Sequence, residues 1–400
     1  MYLPFTNETW KFRSPSGGNG KIIDADRLQL SGLPLSYGAY DCKVPLSPGW
    51  VRLEAQCHTD GLASPDTAAT VMISFLSADG KTLRRQYADT KTEKEKVFFS
   101  REFEVPPGAV KGEITLALRW PGAGSAVFSP PALISIAPPA SRKAKVVVTH
   151  FCTKSGGDWP KRTKSLFEKI GALSPDLICM SEGLHLRGID IDIRNATEPI
   201  GGAFTTLLSE QAVKYNTYVT GNFMETHEYG MYNTSILLDR SGSIAGVFRK
   251  VHLPLSEVES GIIPGSEYPV FETDFARIGM MVCWDAGFPE AARRLRLNGA
   301  QLLVSATIGD FWPVEMARAK DNGVWFAIAG EHRFEGNPPP SRIIDPQGNL
   351  VCCCGEPNTD SYIYADIDFN QRFYTPWLSV GSGEGEGPSL YLMERRPDTY

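Results

Sequence analysis

No stretch of this chain stays apolar for the roughly 18 residues that a membrane-spanning helix requires, so no membrane partner is expected. No Lys/Arg run or basic stripe is present. With 40 Lys and Arg against 46 Asp and Glu, the net charge of −6 argues against a nucleic-acid partner. The opening residues, MYLPFTNETWKFRSPSGGNG, lack a basic start followed by an apolar core and do not read as a secretory leader. The six histidines form no i, i+4 pair, and the eight cysteines form no CxxC pair. That leaves no zinc-ligand spacing, and neither a metal nor a cofactor is expected. Eight cysteines in 400 residues do not make a disulfide framework either, so a reduced, cytoplasmic setting fits best.

What is present is ordinary in bulk. Hydrophobic residues are 42% and charged residues 22%, as in soluble globular proteins, and 400 residues imply two domains. Residues 1–138 read as β-structure. WVRLEAQCH and TAATVMISFLSADGKTLRRQYAD alternate apolar and polar, and Pro or Gly punctuates every eight to twelve residues. An all-β sandwich of jelly-roll type is the natural assignment, with ISIAPPASRKAK as the linker. From 145 to 400 the texture changes. KVVVTHF and PDLICMSE are buried strands, WPKRTKSLFEKIGAL and PEAARRLRLNG have helical spacing, and the alternation predicts a layered α/β domain.

Functional groups in such domains gather where strands end. PDLICMSEG ends in Glu182, IAGVFRKVHLP in Lys250 and IGMMVC in Cys283. A solitary cysteine between a strand and a helix is either a small packing residue or a nucleophile. A nearby helix N-terminus would favour the thiolate. Glu182 is suited to take the thiol proton, and Lys250 to meet an oxyanion.

Together these segments resemble the nitrilase, or carbon–nitrogen hydrolase, superfamily, whose Glu–Lys–Cys triad sits on an αββα sandwich. The resemblance spans about 145–400. YNTSILLDRSGSIAGVFRKVHLP looks like the hairpin leading to the catalytic lysine, and ARAKDNG and IIDPQGN are further signposts. ESGIIPG matches the stretch that carries the family's second glutamate, here Glu259. CWDAGFPEAARRLRLNGAQLLV is similar to the amidase and carbamoylase form of the nucleophile segment. The resemblance implies cleavage of a non-peptide C–N bond in a small amide or N-carbamoyl compound through a Cys283 thioester, with release of ammonia or amine. It places the Trp284 backbone N–H beside Lys250 as an oxyanion donor. Asp285 is a candidate substrate contact or a helix cap. Glu225, His227 and Tyr232, in METHEYGMYN, are candidate pocket residues. Family members pair, so a homodimer or larger homo-oligomer is implied, with the tail VGSGEGEGPSLYLMERRPDTY reaching across.

The front sandwich looks like a carbohydrate-binding type, with Trp10, Trp50 and Trp120 as stacking candidates. Two other functions use the same residues: acyl transfer to an amine on the same triad, and a binding or scaffold role on a lapsed hydrolase fold.

Overall fold

A computed structural model describes residues 1–151, 158–186, 193–330, 339–354 and 359–399. The chain divides into two compact units, Met1–Ala140 with Arg372–Tyr400, and Ser141–Gln371. No helix among the described residues is long and apolar enough to cross a membrane.

The front unit is a two-sheet sandwich of seven and six strands. Alternation builds it. In Trp50–Asp60, Val51, Leu53 and Cys57 point inward, while polar neighbours face out. Phe75, Phe99, Phe103 and Phe128 fill the middle. Trp10 is also in this core, at 1% exposure against Phe5, so it is not available for stacking on a sugar.

Ala69–Leu76 is buried on both faces, and the C-terminal segment explains why. Glu384–Glu386 pairs in parallel with Thr82–Tyr87, and the helix Gly387–Met393 brings Leu390 and Met393 onto Met72 and Tyr87. The tail, which the sequence placed with the α/β domain, folds onto the front unit of its own chain. Its Gly/Glu composition reads as a flexible linker. In fact Gly383 passes too close to the Thr82 carbonyl for any Cβ, and Glu386 finds Arg101.

The second unit is a four-layer αββα sandwich. Each six-stranded sheet has a parallel centre flanked by antiparallel strands. In the first, Lys143–His150, Leu177–Cys179 and Tyr218–His227 run parallel. In the second, Arg277–Val282, Leu302–Ala306 and Trp325–Ala329 do so. The parallel strands are continuous apolar runs because both faces are covered. Helices Trp159–Gly171 and Ala203–Tyr215 pack on the first sheet, and Pro289–Leu297 and Val314–Asn322 on the second. Between the sheets, Ser181 donates to the Gly330 carbonyl and Ser341 to the Thr149 carbonyl.

Candidate active site

Glu182 lies three residues beyond the strand Leu177–Cys179 and is 1% exposed. Oε1 accepts from Asn233 Nδ2 at 2.8 Å and from Lys250 Nζ at 3.3 Å, and Oε2 accepts from the Ile308 N–H at 3.0 Å. Lys250 follows the strand Ile244–Arg249 and is equally buried. Its backbone N–H bonds to the Asn233 carbonyl, and its Nζ donates to Glu257 Oε1 at 2.8 Å. Burial works against the ammonium charge, but Glu182, Cys283 and Glu257 outweigh it and lift the lysine pKa. Glu257 is itself raised, first by burial and then by Glu182, while Lys250 pulls the other way.

Cys283 begins the 3₁₀ turn Cys283–Gly287, directly after Arg277–Val282, with φ of 44°. A left-handed non-glycine residue costs of order 1–3 kcal/mol and persists where its surroundings over-determine it. The thiol meets the Ile308 backbone and the Thr307 hydroxyl, and a Cβ added at Gly309 would lie 3.6 Å from its sulfur. The same short segment therefore serves both Glu182 and Cys283. Sequence position suggested a stabilised thiolate. The structure reverses that, because burial and then the Glu182 charge push the thiol up to about 11, against Lys250 and the local hydrogen bonds. Burial thus favours the neutral thiol, whose proton leaves as the sulfur attacks.

Glu259 is exposed, and Glu257 is the carboxylate that reaches Lys250. Both lie on the one-turn helix Leu255–Glu259. Two residues on a helix are about 200° apart, so only one can face the lysine. Asp285 is fully buried and occupied: it accepts from the His252 N–H and Nδ1, both at 2.9 Å, and from the Val282 N–H at 3.2 Å. It therefore braces the nucleophile turn against the chain beyond Lys250 and is not free for a substrate. Arg318 supports the turn from the other side through the Ala286 and Gly287 carbonyls. Trp284 is 42% exposed, with its ring beside Phe288 and Phe311.

The proposed pocket residues face the other way. Along Tyr218–His227, Asn222 points to the Glu182 side, where it bonds to the Gly183 N–H and to Asn233. Glu225 shares the opposite, helix-covered face with Phe223. Its carboxylate is taken by Arg249, at 2.8 and 2.7 Å, and by Thr234. Tyr232 lies under Arg249 and against His227. Glu225, Tyr232 and His227 thus form a separate cluster. The sequence gives no sign of the parts taken by Glu257, Thr307 and Ile308. The YN pair in the strand Gly230–Leu238, which pairs with the lysine strand, was the signal available for Asn233.

A half-buried thiol, a buried carboxylate and a buried ammonium supply a nucleophile, a proton acceptor and a cation for a developing oxyanion. The carbon-nitrogen hydrolase family profile matches residues 183–372. The chain is 35% identical over 220 residues to a probable nitrilase of Schizosaccharomyces pombe, a match covering 50% of this chain and 74% of the relative. It is 32% identical to a citrullinase of Francisella tularensis, covering 45% and 71%. Among solved structures, Saccharomyces cerevisiae Nit3, a member of branch 10 of the nitrilase superfamily, superposes with a TM-score of 0.51 at 23% identity, covering 57% of this chain and 90% of that one. An amidase from Nesterenkonia sp. does so with a TM-score of 0.52 at 18% identity, covering 66% and 96%. The last two likenesses are of fold. With the match to the fission-yeast relative, the chain belongs to the nitrilase superfamily and is a carbon–nitrogen hydrolase.

Proposed function

We propose that the enzyme hydrolyses the C–N bond of a small primary amide or N-carbamoyl compound through a thioester on Cys283. The observation that carries this reading is the buried Glu182–Lys250–Glu257 bridge, joined to Cys283 through Thr307 and Ile308. Glu182 takes the thiol proton as the sulfur attacks the carbonyl carbon. The Lys250 ammonium and the Trp284 backbone N–H receive the oxyanion. The C–N bond breaks, and the leaving nitrogen departs with the proton from Glu182. A water then gives a proton to Glu182 and attacks the thioester. The carboxylic or carbamic acid leaves, and the proton returns to the sulfur. Glu257 keeps Lys250 charged and in place. The citrullinase relative and the CWDAGFPE segment favour an amide or ureido group, and because the fission-yeast relative is named a probable nitrilase, nitriles belong in the test.

The test is ammonia and amine release from primary amides, N-carbamoyl amines, N-carbamoyl amino acids and matched nitriles at equal concentration. Turnover of amide or N-carbamoyl members supports the reading. Nitrile turnover well above amide turnover overturns it. Acyl transfer to added amine in preference to water shifts the function to an acyltransferase. We also infer a homo-oligomer. The helices beside the nucleophile turn leave Leu297 and Val314 exposed, and a monomer by light scattering at micromolar concentration would contradict it.

A further inference from the structure

Arg342 is fully buried within the strand Ser341–Ile344. Taking a guanidinium out of water is costly, and a well-packed apolar side chain of similar volume is usually no worse for stability. The placement of its partners suggests what the charge holds. Its Nη2 donates to Asp310 Oδ1 at 2.7 Å, its Nη1 lies 3.1 Å from Glu315 Oε2, and its Nε donates to the Pro340 carbonyl. Asp310 also accepts from the Trp312 N–H at 3.0 Å, and the Trp312 ring lies 5.2 Å from the guanidinium carbon. Glu315 sits in the first turn of Val314–Asn322. One guanidinium, anchored in a central sheet, thus ties together both ends of the crossing from residue 310 to residue 315.

Immediately before that crossing are the residues that touch the reacting groups. Thr307 closes the turn by donating to the Gly309 carbonyl at 2.8 Å. Ile308 gives its N–H to Glu182, and Gly309 lies against the Cys283 sulfur. Between Ala306, where the strand ends, and Asp310, this segment has no regular secondary structure to hold it.

We propose that Arg342 is a positioning residue: acting through Asp310, it fixes the Thr307–Gly309 segment so that the Ile308 N–H stays on Glu182 and the segment stays closed over Cys283. This rests on the reading of Glu182 and Cys283 as base and nucleophile. An N–H aimed at a carboxylate or a thiolate stabilises the charged form. Releasing the segment removes the Ile308 and Thr307 contacts from the sulfur, so Cys283 ionises at higher pH. Misplacement by about 1 Å also costs on the order of a hundredfold in turnover.

The readout is the rate of Cys283 alkylation against pH, followed by peptide mass in the full-length protein, with kcat/KM alongside. Asp310→Ala takes one of two carboxylates from the buried Arg342 and leaves Glu315 and the Pro340 carbonyl in place, so its melting temperature is measured alongside. It should slow Cys283 alkylation at neutral pH about tenfold and move the pH midpoint upward by about one unit. Asp310→Asn keeps an oxygen that accepts from Trp312 and Arg342, and should return the rate to within about threefold of the parent. Arg342→Met should behave like Asp310→Ala. A purely structural weakening would lower the melting temperature and leave the pH midpoint of the folded protein where it was. An unchanged midpoint in Asp310→Ala therefore overturns the proposal, with the active-site reading intact. If Cys283→Ala keeps the parent's turnover, the active-site reading itself fails, and the proposal falls with it.

Discussion

Glu257→Gln isolates one charge at the site. The carboxylate lies 2.8 Å from Lys250 Nζ, and the lysine side chain is 1% exposed. At that separation and an effective dielectric near 20, one unit charge against another is worth about 6 kcal/mol. Two effects reduce the net loss. The Gln oxygen still accepts a hydrogen bond from Nζ, and removing Glu257 also relieves its repulsion with Glu182. What reaches turnover is the placement of Lys250, and misplacing such a group by about 1 Å costs on the order of a hundredfold in kcat/KM. Glu259→Gln provides the internal control, because Glu259 is exposed. The assay is steady-state kcat/KM for ammonia release, with melting temperature measured in parallel. Activity within threefold of the parent for Glu257→Gln, or an equal loss for Glu259→Gln, would refute the assignment of Glu257 as the lysine's second carboxylate.

Other perturbations test the surrounding structure. Glu386 is buried against Arg101, Gln86 and Arg372. Glu386→Ala leaves Arg101 short of a partner and should cost the front unit about 3–5 kcal/mol, read as a lower urea midpoint; an unchanged midpoint would show that the tail is not integral to the sandwich. Burial pushes Glu315 up to about 7, with Asp310 adding and Arg342 opposing. Its folded value is thus above the unfolded one. The stability it contributes is present below about pH 4.5 and is lost as pH rises through about 7. Glu315→Gln removes that slope, so its melting temperature relative to the parent should rise between pH 5 and 8; a constant difference would argue against a buried neutral carboxyl. Burial also pushes the thiols of Cys57 and Cys179 up to about 12. Neither should react with iodoacetamide at pH 8 in the folded protein, and labelling of either at the Cys283 rate would contradict their burial.

Much of the fold was legible because burial leaves a direct mark on composition. Runs such as KVVVTHF and PDLICM can only be strands covered on both faces, and alternating runs such as WVRLEAQCH can only be half-covered ones. Glu182, Lys250 and Cys283 were legible because each is a reactive side chain where such a run stops. What escaped the sequence depends on direction. Glu257 and Glu259 differ by two positions on one helical turn, and nothing in LSEVES says which one turns inward. Glu225, Tyr232 and His227 look like a pocket when read as a string. The two-residue period of a strand puts Glu225 and Tyr232 on the face away from Asn233. Asp285 reads as a substrate contact until the chain brings His252 to it from 33 residues away. The tail was misplaced for a similar reason. Its glycines suggest slack, and the partners that fix it, Arg84 and Arg101, lie some three hundred residues earlier.

The central claim is that Cys283 attacks the carbonyl carbon and carries the acyl group. Its most direct test is intact and peptide mass after rapid acid quench during turnover of whichever amide or N-carbamoyl compound the enzyme accepts. The account predicts an added acyl mass on the Cys283 peptide that is removed by hydroxylamine, and it predicts that Cys283→Ala keeps the parent's melting behaviour while losing both the adduct and turnover. Turnover retained by Cys283→Ala, or an acyl mass found on another residue, would contradict it.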